Sequence, residues 1–163
     1  MKPAEVSTPS DREVLVKRSF DAPVNLVWQA YTDPVLMRRW LTAMPGWTMP
    51  VCEMTTKVGG TYRWRWRNSN SGQEFGFFGE MLEVEWHAKI VHTQIYDPGD
   101  GAFGSMGDEP TIITVTFNET NGITNVATSI KYASQADRDA AISTGMTDGM
   151  EMSYQALDGA LAG

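Results

Sequence analysis

The chain of 163 residues is 42% apolar and carries 13 basic against 20 acidic side chains, a net charge of −7. That size suits one domain whose core buries about 70% of the surface its unfolded form exposes, and the negative balance argues against nucleic acid or an anionic membrane as partner. There is no run near the roughly 18 consecutive apolar residues of a membrane span and no hydrophobic stretch like a secretory signal at the start. Cys52 is the sole cysteine, which excludes an internal disulfide and a cysteine-based zinc site, so a protein of the reducing cytoplasm is expected.

Residues 1–11 are polar and lack periodicity, which predicts a flexible tail ahead of a single domain over 12–163. Glu13 to Phe20 reads as a strand. Asp21 or Ala22 can then cap a helix whose first turn holds Pro23 and whose apolar residues are Leu26, Val27, Ala30 and Tyr31. Thr32-Asp33-Pro34 repeats the start signal for a second short helix bearing Leu36, Met37, Trp40 and Leu41. A strand at about 47–55 follows. Tyr62, Trp64 and Trp66 next alternate with Arg63, Arg65 and Arg67, a period of two that puts aromatic rings on one face and guanidinium groups on a solvated outer face. Asn68 to Gly72 supplies a turn, and Phe75 to Val84 runs back. Further strands are predicted at about 89–96, 111–119 and 123–132. The last two flank Asn121-Gly122, a hairpin pair. From Ser134, a candidate N-cap with Asp137 and Asp139 in the first turns, the period is helical. Ile142, Met146, Met150, Tyr154, Leu157 and Leu161 form one seam. Strands joined by short turns give an antiparallel sheet, and its aromatic face and the long helix each need the other as cover.

Several motifs now fall in order. Phe20-Asp21-Ala22-Pro23, Val27-Trp28, Tyr31-Thr32-Asp33-Pro34 and Arg39-Trp40 are followed by Val58-Gly59-Gly60-Thr61-Tyr62, by Gly79 with Leu82-Glu83-Val84, and by Gly145-Met146-Thr147-Asp148-Gly149-Met150. Over residues 12–162 this resembles the START/Bet v 1-like (SRPBCC) superfamily, in particular the group similar to the activator of Hsp90 ATPase. The resemblance implies an α+β helix-grip fold: a curved antiparallel sheet wrapped around a long C-terminal helix, two short helices after the first strand, and an internal pocket between sheet and long helix. Met150 departs from the group's usual tryptophan at that place.

The resemblance does not fix the chemistry, because one fold hosts many functions. Candidate pocket residues are Trp47, Trp64, Trp66, Phe77, His92, Tyr96, Met146, Gly149, Met150 and Tyr154, with large aromatic surfaces suited to an apolar ligand. The alternative is that they fill the core. Gly145 and Gly149, read as lying inside the helix, call for a close approach by backbone or ligand to offset their poor helix propensity. His92 shares strand parity with Gln94 and Tyr96 and is either an acid-base group or a buried structural histidine. His87 belongs to an exposed turn. The two histidines make no metal site, Ser105 lacks the spacing of a nucleophile elbow, and Cys52 suits a small buried role. The glycine-rich run from Pro98 to Pro110 is too acidic for a phosphate cradle and reads as a loop at the cavity mouth, possible as a lid.

Three function classes follow. The first is binding of a small hydrophobic or amphipathic molecule, without a cofactor. The second is a cyclase- or hydrolase-like enzyme using His92, Gln94, Tyr96 or a cavity carboxylate such as Glu53. The third is interaction with Hsp90, implied by the resemblance alone and weakened because the chain is too short for the activator's additional amino-terminal domain.

Overall fold

Alternating side chains and the turn residues between them set the strands, and the computed structural model describes residues 1–42, 44–98 and 110–162. In chain order the elements are β1 (Glu5–Ser7), β2 (Glu13–Phe20), α1 (Val24–Thr32), α2 (Pro34–Leu41), β3 (Trp47–Met54), β4 (Thr61–Asn68), β5 (Glu74–Glu85), β6 (Lys89–Asp97), β7 (Thr111–Thr120), β8 (Ile123–Lys131), α3 (Gln135–Ser143) and α4 (Met146–Ala162). The strands form one antiparallel sheet in the order β1-β2-β8-β7-β6-β5-β4-β3. Asn121 and Gly122 have φ of 53° and 79°, the left-handed pair that a two-residue hairpin requires.

Both sheet edges hold a departure from simple alternation. The segment expected as a tail contributes β1, where Glu5, Val6 and Ser7 pair with Lys17, Val16 and Leu15. Its polar composition hides a strand that lies along a solvent-facing edge. At the opposite edge, Pro50 lies where the β3–β4 register shifts between Thr48 and Val51. An edge position with a bulge tolerates proline and discourages pairing with another chain.

The helix starts are set partly by local and partly by distant groups. Asp33 caps α2 as expected, accepting from the Val35 amide at 2.9 Å with Pro34 beside it. In α1, by contrast, Pro23 itself occupies the cap position and has no side-chain acceptor, so neither Asp21 nor Ala22 serves. Glu119 at the end of β7 accepts from the Val24 amide instead, at 2.7 Å.

The single long helix expected from Ser134 is two helices. Ser134 caps α3 through the Asp137 amide at 3.1 Å. The last turn then tightens, with the Gly145 amide on the Ile142 carbonyl, and Gly145 takes φ of 80°. A glycine adopts that left-handed conformation without the Cβ penalty. The Gly145 carbonyl accepts from Asp148 and Gly149, which starts α4 in a new direction. No residue of α3 is buried and Ile142 is exposed, so the apolar seam begins at Met146. Gly145 is therefore a joint between helices.

α4 packs against α2 and, across the sheet's inner face, against β2. This is the helix-grip arrangement, with Val14, Val16, Phe20, Val126 and Ile130 of the sheet sealed together with Leu157 of the helix. A second, smaller cluster, Met37, Met49, Cys52 and Trp66, sits under α2.

Two glycines of β5 shape the sheet on opposite faces. On the outer face Arg65, Gly76 and Asp97 lie in one cross-strand row. The bare backbone at Gly76 lets Arg65 span to Asp97, with Glu74 at 3.2 Å as a second partner. Arg65 is thus buried, a correction to the fully solvated arginine stripe, while Arg63 and Arg67 are exposed as expected. On the inner face Tyr62 lies opposite Gly79, and its hydroxyl reaches past β5 to donate to the Thr93 carbonyl at 2.6 Å. A Cβ at Gly79 would sit 2.1 Å from that same oxygen.

Candidate functional site

Burial is uneven across the inner face. Beneath α4, the inward residues of β2 and β8 are closed off from solvent. Toward the end of β6, Trp64, Phe75, Phe77 and Gln94 are only half-buried, and Tyr96 is 38% exposed. All belong to the inner face by register, since Phe77 lies opposite both Trp64 and Tyr96. Their rings form a continuous surface. Phe77 stands edge-on to Tyr96 at 5.7 Å and to Trp66 at 6.1 Å, and Trp66 stacks on Phe75 at 5.3 Å. Trp47 joins at the edge, 5.3 Å from Phe75.

The remaining predicted residues divide between this corner and the core. Trp66 is buried and anchored by its indole N–H on the Leu41 carbonyl at 3.0 Å. Met146 and Met150 are half-buried against the same core as Trp64 and Phe77, and the Met146 sulfur accepts from the Tyr132 hydroxyl at 3.3 Å. Gly149 is half-buried, and a Cβ placed there meets nothing within 4 Å. The close approach expected at that glycine is therefore absent among the described residues.

Tyr154 lies in the core. It stands edge-on to Phe20 at 5.7 Å and beneath the Arg18 guanidinium at 5.9 Å, and burial raises its phenol to about 12. Arg18, itself buried, is gripped by Glu151 at 3.1 Å and Asp158 at 2.8 Å, both on α4. Glu151 also accepts from the Ala4 amide at 2.8 Å, so β1, β2 and α4 share one clamp. Burial alone would raise the Glu151 carboxyl, but the bonds from Arg18, Ala4 and Gln155 outweigh it and hold it below the ordinary range.

His92 is buried, with Nδ1 3.0 Å from the Thr93 carbonyl and 3.1 Å from the Tyr62 hydroxyl. Burial lowers its pKa, opposed in part by the Thr93 contact, and burial drives the Tyr62 phenol far up. Both groups are neutral and engaged, which favours the structural alternative for His92. Glu53, considered as a cavity carboxylate, is exposed opposite Arg63 on the outer face, because Cys52 and Met54 take the inward parity. The Cys52 thiol is buried and raised by that burial, which leaves it a poor nucleophile. His87 is exposed at the tip between β5 and β6.

Among the described residues no group of three or more His, Cys, Asp or Glu side chains is placed to hold a metal ion, and no helix is long and apolar enough to cross a membrane. The loop proposed at the cavity mouth lies, over 99–109, outside the described residues. A shallow groove of about 490 Å³ also runs over the outer face, between Arg63, Phe78, Glu80 and Ile95. It is separated from the aromatic corner by the sheet.

A grip of sheet on helix with a half-open aromatic corner defines a START/Bet v 1-like α+β domain. More narrowly, residues 21–162 match the family described as activator of Hsp90 ATPase homolog 1-like protein, and the chain belongs to that family. Among solved structures, a protein of Rhodobacter sphaeroides is 27% identical with a TM-score of 0.87, covering 99% of each chain. One from Mycobacterium smegmatis is 20% identical with a TM-score of 0.85, over 98% of this chain and 97% of that one. One from Nitrosomonas europaea is 21% identical with a TM-score of 0.77, over 93% and 94%. No curated protein matches the chain.

Proposed function

We propose that this protein binds a small hydrophobic or amphipathic molecule at the aromatic corner between the sheet and α4. The observation that carries the reading is Tyr96, an inward-facing residue left 38% exposed over Phe77 while the inward residues of β2 and β8 are sealed. A contiguous apolar surface open to water marks a binding site more often than a finished core. Met146, Gly149 and Met150 would form the opposite wall. The reading goes with a cytoplasmic setting, and with catalysis assigned to no residue.

A thermal-shift screen of fatty acids, sterols, aromatic polyketides and flavonoids tests it. A compound at 100 times its dissociation constant adds about 2.7 kcal/mol, and each kcal/mol moves the midpoint of a domain this size by about 2–4 °C. The expected rise is therefore about 5–11 °C. If no compound moves the midpoint, the corner is core surface and the reading fails for those classes. The family's description supplies a second reading, contact with Hsp90. A pull-down with Hsp90 that recovers none of this protein removes it.

A further inference from the structure

The aromatic corner is not chemically blank. The Trp64 indole N–H is buried with no hydrogen-bond partner, although buried donors in folded proteins are nearly always satisfied. Its polar neighbours make their bonds elsewhere. The Tyr62 ring, 4.6 Å away, directs its hydroxyl to Thr93, and the His92 ring, at 6.3 Å, places Nδ1 on the same carbonyl. Neither is hydrogen-bonded to the Trp64 nitrogen. A molecule that enters among these rings and reaches the buried indole nitrogen would satisfy that donor.

Charge narrows the choice of molecule. Among the described residues, the basic side chain that the strands turn inward is Arg18, and it is already held by Glu151 and Asp158. Arg65 points to the outer face and is paired with Glu74 and Asp97. An anionic head group deep in the corner would lose its hydration with only Arg38 of α2, exposed and donating to the Met49 carbonyl at 3.3 Å, at the corner's edge, in a protein whose own net charge is −7.

We infer that the ligand of this corner is a neutral molecule, aromatic or aliphatic, whose hydrogen-bond acceptor, a ketone, ester or ether oxygen, takes the Trp64 Nε1–H. This rests on the reading of the corner as a ligand site. It narrows that reading by excluding fatty-acid anions and acceptor-free hydrocarbons as preferred occupants.

Three probes of one shape separate the possibilities: benzophenone, diphenylmethane, which lacks the oxygen, and 4-benzoylbenzoate, which adds a carboxylate. Titrations are followed on the intact protein by NMR of the Trp64 indole N–H and of the Phe77 and Tyr96 rings. Benzophenone should bind about tenfold tighter than diphenylmethane, the worth of one net hydrogen bond, and should move the Trp64 indole proton downfield. 4-Benzoylbenzoate should bind more weakly than benzophenone. Trp64→Phe should erase the advantage of benzophenone over diphenylmethane, whatever affinity the smaller ring costs both probes. Should that variant not fold, the indole resonance of the unaltered protein decides. Equal affinities for benzophenone and diphenylmethane, with both rings perturbed and the indole unmoved, overturn the role of Trp64 while the corner stands as a binding site. Tighter binding of 4-benzoylbenzoate than of benzophenone overturns the neutral ligand. If no probe perturbs the Phe77 and Tyr96 rings, the site and this inference fall together.

Discussion

His92 illustrates how a residue suited to chemistry can be consumed by structure. Thr93 carries the cluster. Its carbonyl receives the Tyr62 hydroxyl, its hydroxyl accepts from the Glu80 amide at 2.9 Å, and His92 Nδ1 sits on the same carbonyl. The regular β5–β6 pairing is interrupted here, between Phe78–Ile95 and Met81–His92, and side chains supply bonds that the ladder does not. A buried imidazole with a depressed pKa makes stability depend on pH. The unfolded chain takes up a proton as pH falls below about 6.5, whereas the folded one resists, so this contribution is complete above about 6.5 and lost progressively below it. The loss is at most about 1.4 kcal/mol per pH unit for one proton. Unfolding midpoints measured from pH 8 to pH 5 should therefore fall in the native protein, and His92→Gln should flatten that fall. The Glu151 carboxyl, held low by Arg18, adds its own loss only at more acidic pH. An unchanged slope in His92→Gln would mean that the imidazole titrates freely.

At the scale of elements, the strands were legible because their cues are local. Alternation marks β4, and Asn121-Gly122 marks the turn into β8. What stayed hidden depends on partners distant in sequence. Arg65 needs the registers of three strands before Gly76 is seen to clear its path to Asp97. Glu119 caps α1 from 95 residues away. The break at Gly145 was concealed for another reason: Ile142 and Met146 keep helical spacing whether or not the chain bends between them. The two glycines of this region should consequently respond in opposite ways to alanine. Gly145→Ala forces a Cβ into φ of 80°, costing about 1–2 kcal/mol. Gly149→Ala adds its Cβ to open space within α4 and should stabilise by about 1 kcal/mol. Urea unfolding measures both. A loss of stability in Gly149→Ala would show that the helix there is held by a contact that a methyl group displaces.

The whole molecule divides its inner face between two tasks. Under α4 the sheet is sealed by aliphatic side chains and by the Arg18 clamp to Glu151 and Asp158. At the end of β6 it presents rings that the helix does not cover. The aromatic face was readable from the period of two, but the division was not, because it depends on where α4 lies across the sheet. Nor could the sequence show that Trp64 lacks a partner, since an unmet bond leaves no pattern. Met150 stands on α4, half-buried against the core that Trp64 and Phe77 border, where the related group usually has tryptophan. Met150→Trp adds an indole at this wall. If the corner is a ligand site, the added volume competes with the ligand, so intrinsic stability should hold or rise while the midpoint shift produced by a bound compound shrinks. In free-energy terms, a tenfold loss of affinity lowers the stabilisation at fixed ligand by about 1.4 kcal/mol, which removes about 3–6 °C from the shift. Compounds that bind the outer groove near Phe78 and Ile95 would keep their full shift, because the sheet lies between that groove and α4. A Met150→Trp protein that folds normally yet responds to every corner ligand as before would place the binding surface away from α4, and the grip between sheet and helix would then be structural alone.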